Sequence, residues 1–221
     1  MNITAIFTKG GPLLYVLCVM SVVGLAITLL KLYQFWRIKS REGNLTQQVL
    51  AALTSGKPEQ ALDLLKRQNQ NPVARVLEAL VRGHFKRELC DGDLEKEVNR
   101  VGTCEVRALE DWLRGLGSIA QLSPLIGLLG TVLGMISAFI ELQSAGPQVN
   151  PTLLAGGIWE ALLTTAVGLA IAIPAMAAYH YLEGRVDQIR SDMQDAVAQV
   201  LVSVRNPESS GPATILEMKE G

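Results

Sequence analysis

Residues 152–182 read TLLAGGIWEALLTTAVGLAIAIPAMAAYHYL, and the reading of this stretch decides the fold. Between Leu142 and Leu182 the sole charged side chain is Glu160. A bilayer core is crossed by about 20 consecutive apolar residues in a helix, because only a helix or a closed barrel satisfies its backbone polar groups in lipid. The stretch therefore predicts a transmembrane helix that carries one carboxylate. Two further runs qualify: GPLLYVLCVMSVVGLAITLL at Gly11–Leu30, between Lys9 and Lys31, and GLGSIAQLSPLIGLLGTVLGMISAFI at Gly115–Ile140, between Arg114 and Glu141. The first is too long for the apolar core of a signal peptide, and no small-x-small cleavage site precedes the charged segment after it. The expectation is an all-α integral membrane protein with three transmembrane helices.

Outward from the spans, the charges set the organisation. Apart from Lys9, Glu141 and Glu160, every charged residue falls in 31–114 or 183–221. Lys31, Arg37, Lys39 and Arg41 follow span 1; Arg100, Arg107 and Arg114 precede span 2; Arg185 and Arg190 follow span 3. The loop ELQSAGPQVNPT has no Lys or Arg. The positive-inside rule then puts the N-terminus outside and the long loop and C-terminus in the cytoplasm. Tyr33, Phe35, Trp36, Trp112, Tyr179 and Tyr181 cluster at the expected inner boundary as an aromatic belt. The chain divides into a tail (1–10), a span (11–33), a cytoplasmic helical loop (34–114), a span (115–140), an outer loop (141–151), a span (152–182), a helix (183–205) and a polar, turn-rich tail (206–221) expected to be disordered.

The stretch from Arg37 to Arg114 holds 14 basic and 12 acidic side chains, the mixture of a soluble surface rather than a polybasic lipid anchor. KPEQALDLLKRQ predicts a helix with Pro58 in its first turn. Asn71-Pro72 breaks the chain, and PVARVLEALVRGHFKREL resumes helical periodicity. Leu94, Val98, Val101, Leu109, Trp112 and Leu116 form a stripe that leads into span 2; Val186, Ile189, Met193, Val197, Val200 and Val204 form another after span 3. Spans 2 and 3 are thus expected to extend as antiparallel helices into a helical cytoplasmic domain.

Composition excludes several classes. A net charge of −1 gives no basic surplus for nucleic acid. Cys18, Cys90 and Cys104 lack metal-ligand spacing and read as reduced, small apolar residues. His84 and His180 are too far apart for a zinc cluster, and His180 falls at the membrane edge, where an interfacial role is expected. No metal or cofactor is implied. No nucleophile–base constellation or phosphate loop suggests an enzyme, and three spans lack the repeated halves of a secondary transporter.

Glu160 is the sharpest signal. A charge at membrane depth costs at least ~2.5 kcal/mol, and at 1.5 Å per residue Glu160 lies about 12 Å below a span that starts near Thr152. Three roles compete: a protonated packing group, an ion pair with a cation of another subunit, or a group that loads and releases protons. No Lys or Arg in the spans can pair with it. In span 2, Ser123, Gly127, Gly130, Thr131, Gly134 and Ala138 share a helical face, and Gly130-x-x-x-Gly134 allows close helix approach. The Thr131 hydroxyl has a bland alternative, a bond back to the carbonyl of residue 127. Span 3 has Gly156, Gly157, Ala161, Thr164, Thr165, Gly168 and Ala172 around Glu160. Thr164 lies about 40° from Glu160 around the helix and Thr165 about 140°. Pro124 and Pro174 predict bends in spans 2 and 3.

LSPLIGLLGTVLGMISAF, followed after a short loop by GIWEALLTTAVGLAIAIPAMAAY, resembles the ExbB/TolQ/MotA proton-channel family. The likeness covers about residues 105–190 and includes Gly-Thr-Val-x-Gly, Gly-x-x-Glu-Ala-Leu and Ala-Ile-Pro. The N-terminal third matches only in architecture: three spans with the large loop after the first look like the ExbB and TolQ branches, whereas MotA has four. The resemblance implies a homopentamer around two copies of an ExbD- or TolR-like single-span partner with a membrane Asp. Proton flow would then drive a TonB- or TolA-like transducer. It carries the family's glutamate to Glu160 and its pore-lining threonines to Thr131 and Thr165, although the helical wheel alone selects Thr164. Trp159 departs from the small or polar residue common in the family. An ExbB-like role in TonB-dependent transport leads, a TolQ-like role in envelope integrity is the near alternative, and a non-conducting scaffold is the alternative of another class.

Single cysteines at positions 146 and 57, in a background without Cys18, Cys90 and Cys104, test the topology. A membrane-impermeant thiol reagent added to intact cells labels position 146, and position 57 reacts only after permeabilisation. Reversed labelling inverts the orientation.

Overall fold

The computed structural model describes residues 11–39, 45–85, 91–144 and 151–205. They form seven helices: α1 (Gly11–Lys39), α2 (Leu45–Thr54), α3 (Pro58–Arg67), α4 (Pro72–Phe85), α5 (Asp91–Glu110), α6 (Leu113–Ser144) and α7 (Pro151–Arg205). No strand occurs among the described residues. The three expected spans fall in α1, α6 and α7, each within a helix long and apolar enough to cross a membrane. The fold class is all-α. Both expected tails, most of the outer loop and Cys90 lie outside the described residues.

The chain divides into two compact units. The first joins α1 as far as Leu32 to α6 and to α7 as far as Glu183. Here α1 packs on α6 at Gly24, where an added Cβ would meet Cγ2 of Ile119 at 3.4 Å. Leu17 and Leu116 are fully buried, whereas Leu25, Leu30, Leu128, Ile140 and Ile173 are exposed. So broad an apolar surface is stable only against lipid or other apolar helices. Cys18, expected to pack as a small apolar residue, is exposed on this surface. The aromatic belt is thinner than expected. Tyr179 instead covers Gly117, where a Cβ would lie 3.1 Å from its ring. Trp112 and Tyr181 remain exposed.

The second unit takes α1 from Tyr33, α2 to α5, and α7 from Gly184. Phe35, another of the six belt aromatics, is buried in it, while Tyr33 and Trp36 are exposed. Helices α2 to α5 pack each on the next. Local chemistry sets the turns. Gly56 closes α2 in the left-handed region at φ 71°, with the Lys57 N–H bonded to the Ala52 carbonyl at 3.0 Å. Pro58 opens α3, and before Pro72 the buried Asn71 accepts the Val73 N–H on Oδ1 at 2.9 Å. Leu65, Leu77, Val81, Ile189 and Val200 fill the core with almost no exposure. Burying each such side chain stabilises by about 1.5–3 kcal/mol.

Ion pairs trim the outside. Arg75 bridges to Glu105 at 2.9 Å and Arg190 to Glu110 at 2.8 Å. Arg100 holds the Glu97 carboxyl below the usual carboxylate range by hydrogen bonding to it. Exposed pairs of this kind are screened by solvent and contribute little. The apolar core dominates.

One expectation is corrected. The stripe from Leu94 does not run into span 2 as one helix, because α5 stops at Glu110 and α6 starts at Leu113. Trp112 adopts φ 67° and is 72% exposed instead of continuing the stripe. The helical ladder runs up to the Asp111 N–H on the Arg107 carbonyl and resumes from the Trp112 carbonyl to the Leu116 N–H. A left-handed non-glycine residue costs about 1–2 kcal/mol, and the buried Leu109, Leu113 and Leu116 on either side outweigh it. By contrast α7 continues through the second stripe, with Val186, Ile189, Met193 and Val200 buried, Ala196 added, and Val197 and Val204 part-buried.

Leu77→Ala lowers the stability of the full-length protein by about 2–5 kcal/mol, read by denaturant melting in detergent. Val202→Ala, at an exposed site, changes it by less than about 0.5 kcal/mol. Equal losses would place the core elsewhere.

Candidate functional site

Within the first unit, α6 and α7 meet along a strip where neither helix offers bulk. A Cβ added to Gly127 would lie 3.0 Å from the Thr164 carbonyl oxygen and 3.0 Å from Cα of Thr165. One on Gly134 would lie 2.9 Å from Cβ of Ala161, and one on Gly157 2.6 Å from Cβ of Ala138. One on Gly168 would lie 2.6 Å from the Ser123 carbonyl oxygen. Contacts that rise along α6 fall along α7, so the two helices are antiparallel. In lipid no hydrophobic force draws helices together, and close backbone approach with van der Waals contact supplies the attraction. Gly156 stands outside the strip, with open space around its Cα.

Ser123, Thr164 and Thr165 lie on the same strip, and Thr131 is one helical turn along α6 from Gly127. Ser123 Oγ donates to the Ile119 carbonyl at 2.6 Å. Thr131 Oγ1 donates to the Leu128 carbonyl at 2.7 Å, three residues back, so the anticipated bond to residue 127 is shifted by one position. Thr164 is 3% exposed; its Oγ1 donates to the Ala161 carbonyl at 2.7 Å and lies 3.4 Å from the Gly127 carbonyl. Thr165 Oγ1 donates across to the Gly127 carbonyl at 2.9 Å. An interhelical bond in a membrane averages about 0.6 kcal/mol, whereas overpacking costs about 1–3 kcal/mol. Shape, more than hydrogen bonding, holds the pair.

Glu160 sits beside this strip, part-buried. Among the described residues no hydrogen bond or ion pair reaches its carboxylate. Its neighbour Ala161 is 2% exposed against Gly134, while Trp159 is exposed and turned from the strip. Thr164 faces α6, with Glu160 and Thr165 to either side of it, about 140° apart around α7. The wheel residue and the resemblance residue therefore do different things: Thr164 is enclosed within the pair, and Thr165 lies part-buried at its border.

Other candidates have plainer surroundings. Pro124 and Pro174 lie inside α6 and α7, which continue past them. Each lacks the amide that would serve the carbonyl of Ala120 or Ala170. His180 is exposed, with Nδ1 3.4 Å from Glu183, which also accepts the Tyr179 hydroxyl at 2.7 Å. No group of three His, Cys, Asp or Glu side chains among the described residues is arranged to hold a metal ion. Sequence reading missed the Gly127 carbonyl as a shared acceptor. A backbone oxygen has no letter of its own, and only the pairing of two helices brings donors to it.

Comparison with known proteins extends the likeness. The profile of the MotA/TolQ/ExbB proton channel family matches residues 68–195, so it begins well upstream of span 2. An ExbB homolog of Methanothermobacter thermautotrophicus is 32% identical over 84% of the chain and 64% of its own length. The Tol-Pal system protein TolQ of Haemophilus influenzae is 46% identical over 44% of the chain and 42% of its own length. The biopolymer transport protein ExbB of Neisseria meningitidis is 26% identical over 95% of the chain and the whole of its own length. The chain thus spans less than two thirds of the first two relatives.

Glycine substitutions test the strip. Gly168→Ala places a methyl against a backbone oxygen that cannot rotate away, and destabilises the protein by about 1–3 kcal/mol. Gly156→Ala meets nothing and leaves stability unchanged or slightly raised. Thermal melting in detergent, followed by tryptophan fluorescence, reads both. Indistinguishable variants would remove the strip as the contact that holds α6 to α7.

Proposed function

Because the chain belongs to the MotA/TolQ/ExbB proton channel family, we propose that this multi-pass membrane protein is an ExbB-like stator subunit of a proton-driven motor in a bacterial inner membrane. In this reading five copies surround two copies of an ExbD- or TolR-like single-span protein with a membrane Asp. Proton motive force then energises a TonB-like transducer and, through it, outer-membrane transport. The N-terminus is periplasmic and the C-terminus cytoplasmic. The role is transport, not enzymatic turnover, and needs no cofactor.

One observation carries the reading. Glu160 is a part-buried carboxylate in an apolar helix, with no partner among the described residues of its own chain. Insertion of such a group costs about 2.5–3.5 kcal/mol, and a charge moved across 100 mV returns about 2.3 kcal/mol. The two are comparable, so a carboxylate there is a poor structural device and a reasonable proton relay. It is insufficient alone, since the spans hold no second ionisable acid or base at depth; a partner carboxylate completes the relay. Thr131 and Thr165, at the edge of the α6–α7 pair, are assigned to the pore wall as polar groups that tune hydration and partner fit. Gly127, Gly130, Gly134, Gly157 and Gly168 let the wall helices close.

A TolQ-like role has its own support in the TolQ match, the most identical of the three relatives over the part it covers. A TonB-like or TolA-like gene beside this one separates the two. A non-conducting scaffold would need Glu160 only as a packing group.

Glu160→Gln keeps the shape and most hydrogen bonding but carries no exchangeable acid proton. The variant inserts and assembles with its partner, by native mass spectrometry, yet loses motor-dependent function. Glu160→Asp retains part of it, and substitutions of Thr131 or Thr165 give graded losses. Uptake and envelope integrity are measured in the same cells. A fully active Glu160→Gln protein overturns the relay and favours the scaffold.

A further inference from the structure

We propose that Thr164 is a positioning residue for Glu160: one branched side chain, seated in the notch left by Gly130, sets the register and rotation of α7 on α6. The proposal rests on the relay reading of Glu160.

The notch fits one occupant. The three nearest neighbours of a Cβ added to Gly130 are all atoms of Thr164, with Cβ at 2.7 Å, Cγ2 at 3.3 Å and Oγ1 closer still. At Gly127, Gly134, Gly157 and Gly168 the nearest atoms are backbone or the Cβ of alanine. Faces of glycine and alanine permit close approach, but they are smooth and specify axial register weakly. A single knob in a hole specifies it strongly. Thr164 is also stiff. It is β-branched, which restricts χ1, and its hydroxyl is held on the Ala161 carbonyl at 2.7 Å. At 3% exposure it is closed to water and to any partner.

Thr164 is also one helical turn from Glu160, about 40° around the axis. A displacement at the notch therefore rotates or slides the carboxylate with it. The same setting brings Thr165 to the Gly127 carbonyl at 2.9 Å. The lock thus fixes, through one contact, which hydroxyl meets α6 and where the acid is held beside the pair.

The test uses the full-length chain in vesicles of phosphatidylcholine and phosphatidylglycerol. The infrared carboxyl stretch of Glu160, assigned by its loss in Glu160→Gln, is titrated against pH. Gly130→Ala moves the midpoint by about half a pH unit or more, and adding Thr164→Ala to it returns the midpoint to within ~0.2 units of wild type. Thr164→Val keeps the shape without the donor and holds the wild-type midpoint, whereas Thr164→Ala moves it. A double variant no closer to wild type than Gly130→Ala overturns the lock, as does a midpoint indifferent to both Gly130→Ala and Thr164→Ala. If Gly130→Ala fails to fold, the contrast between Thr164→Val and Thr164→Ala decides alone. An active Glu160→Gln protein in cells sinks the relay reading and leaves this midpoint comparison standing.

Discussion

The close approach of α6 and α7, possible only because Gly127, Gly134, Gly157 and Gly168 carry no side chain, is the constraint on which the membrane unit depends. With the backbones in contact, the hydroxyl of Thr165 reaches the Gly127 carbonyl and Thr164 closes over Gly130. Were the helices a methyl farther apart, both contacts would be lost. Lipid offers no hydrophobic compensation for a loosened helix pair, so shape carries the energy here.

The second unit obeys the other regime. In water, burial of Leu65, Leu77, Ile189 and their neighbours drives packing, and the ion pairs on its surface add little. Between the two stretches of sequence, α7 passes as an unbroken helix, while the α5–α6 connection breaks at Trp112.

The placement of the acid explains how it is tolerated. Glu160 lies neither in the tight strip, where desolvation would be complete, nor opposite it on the face with Leu162 and Leu169, which are exposed. Its border position leaves the carboxylate part-exposed. The insertion cost and the work available from a membrane potential are then of the same order.

Much was legible from the letters alone. Three apolar runs, the isolated Glu160, the glycine spacing, Pro58 and Asn71-Pro72 as helix starts, and the all-α class follow from rules that act over one or two helical turns. Tertiary structure decided what depends on a second helix. Thr164 rather than Thr165 is enclosed between α6 and α7, because the wheel fixes angles but not which direction faces the neighbour. The Thr131 hydroxyl bonds to the Leu128 carbonyl, because carbonyls three and four residues back are both within reach of a helical threonine, as at Thr54. Phe35 and Tyr179 serve packing, and Trp112 turns outward in a left-handed conformation, although periodicity put it in a buried stripe. Periodicity assumes an unbroken helix. Where the chain must leave one, the preference of a single residue yields to the burial of the leucines around it.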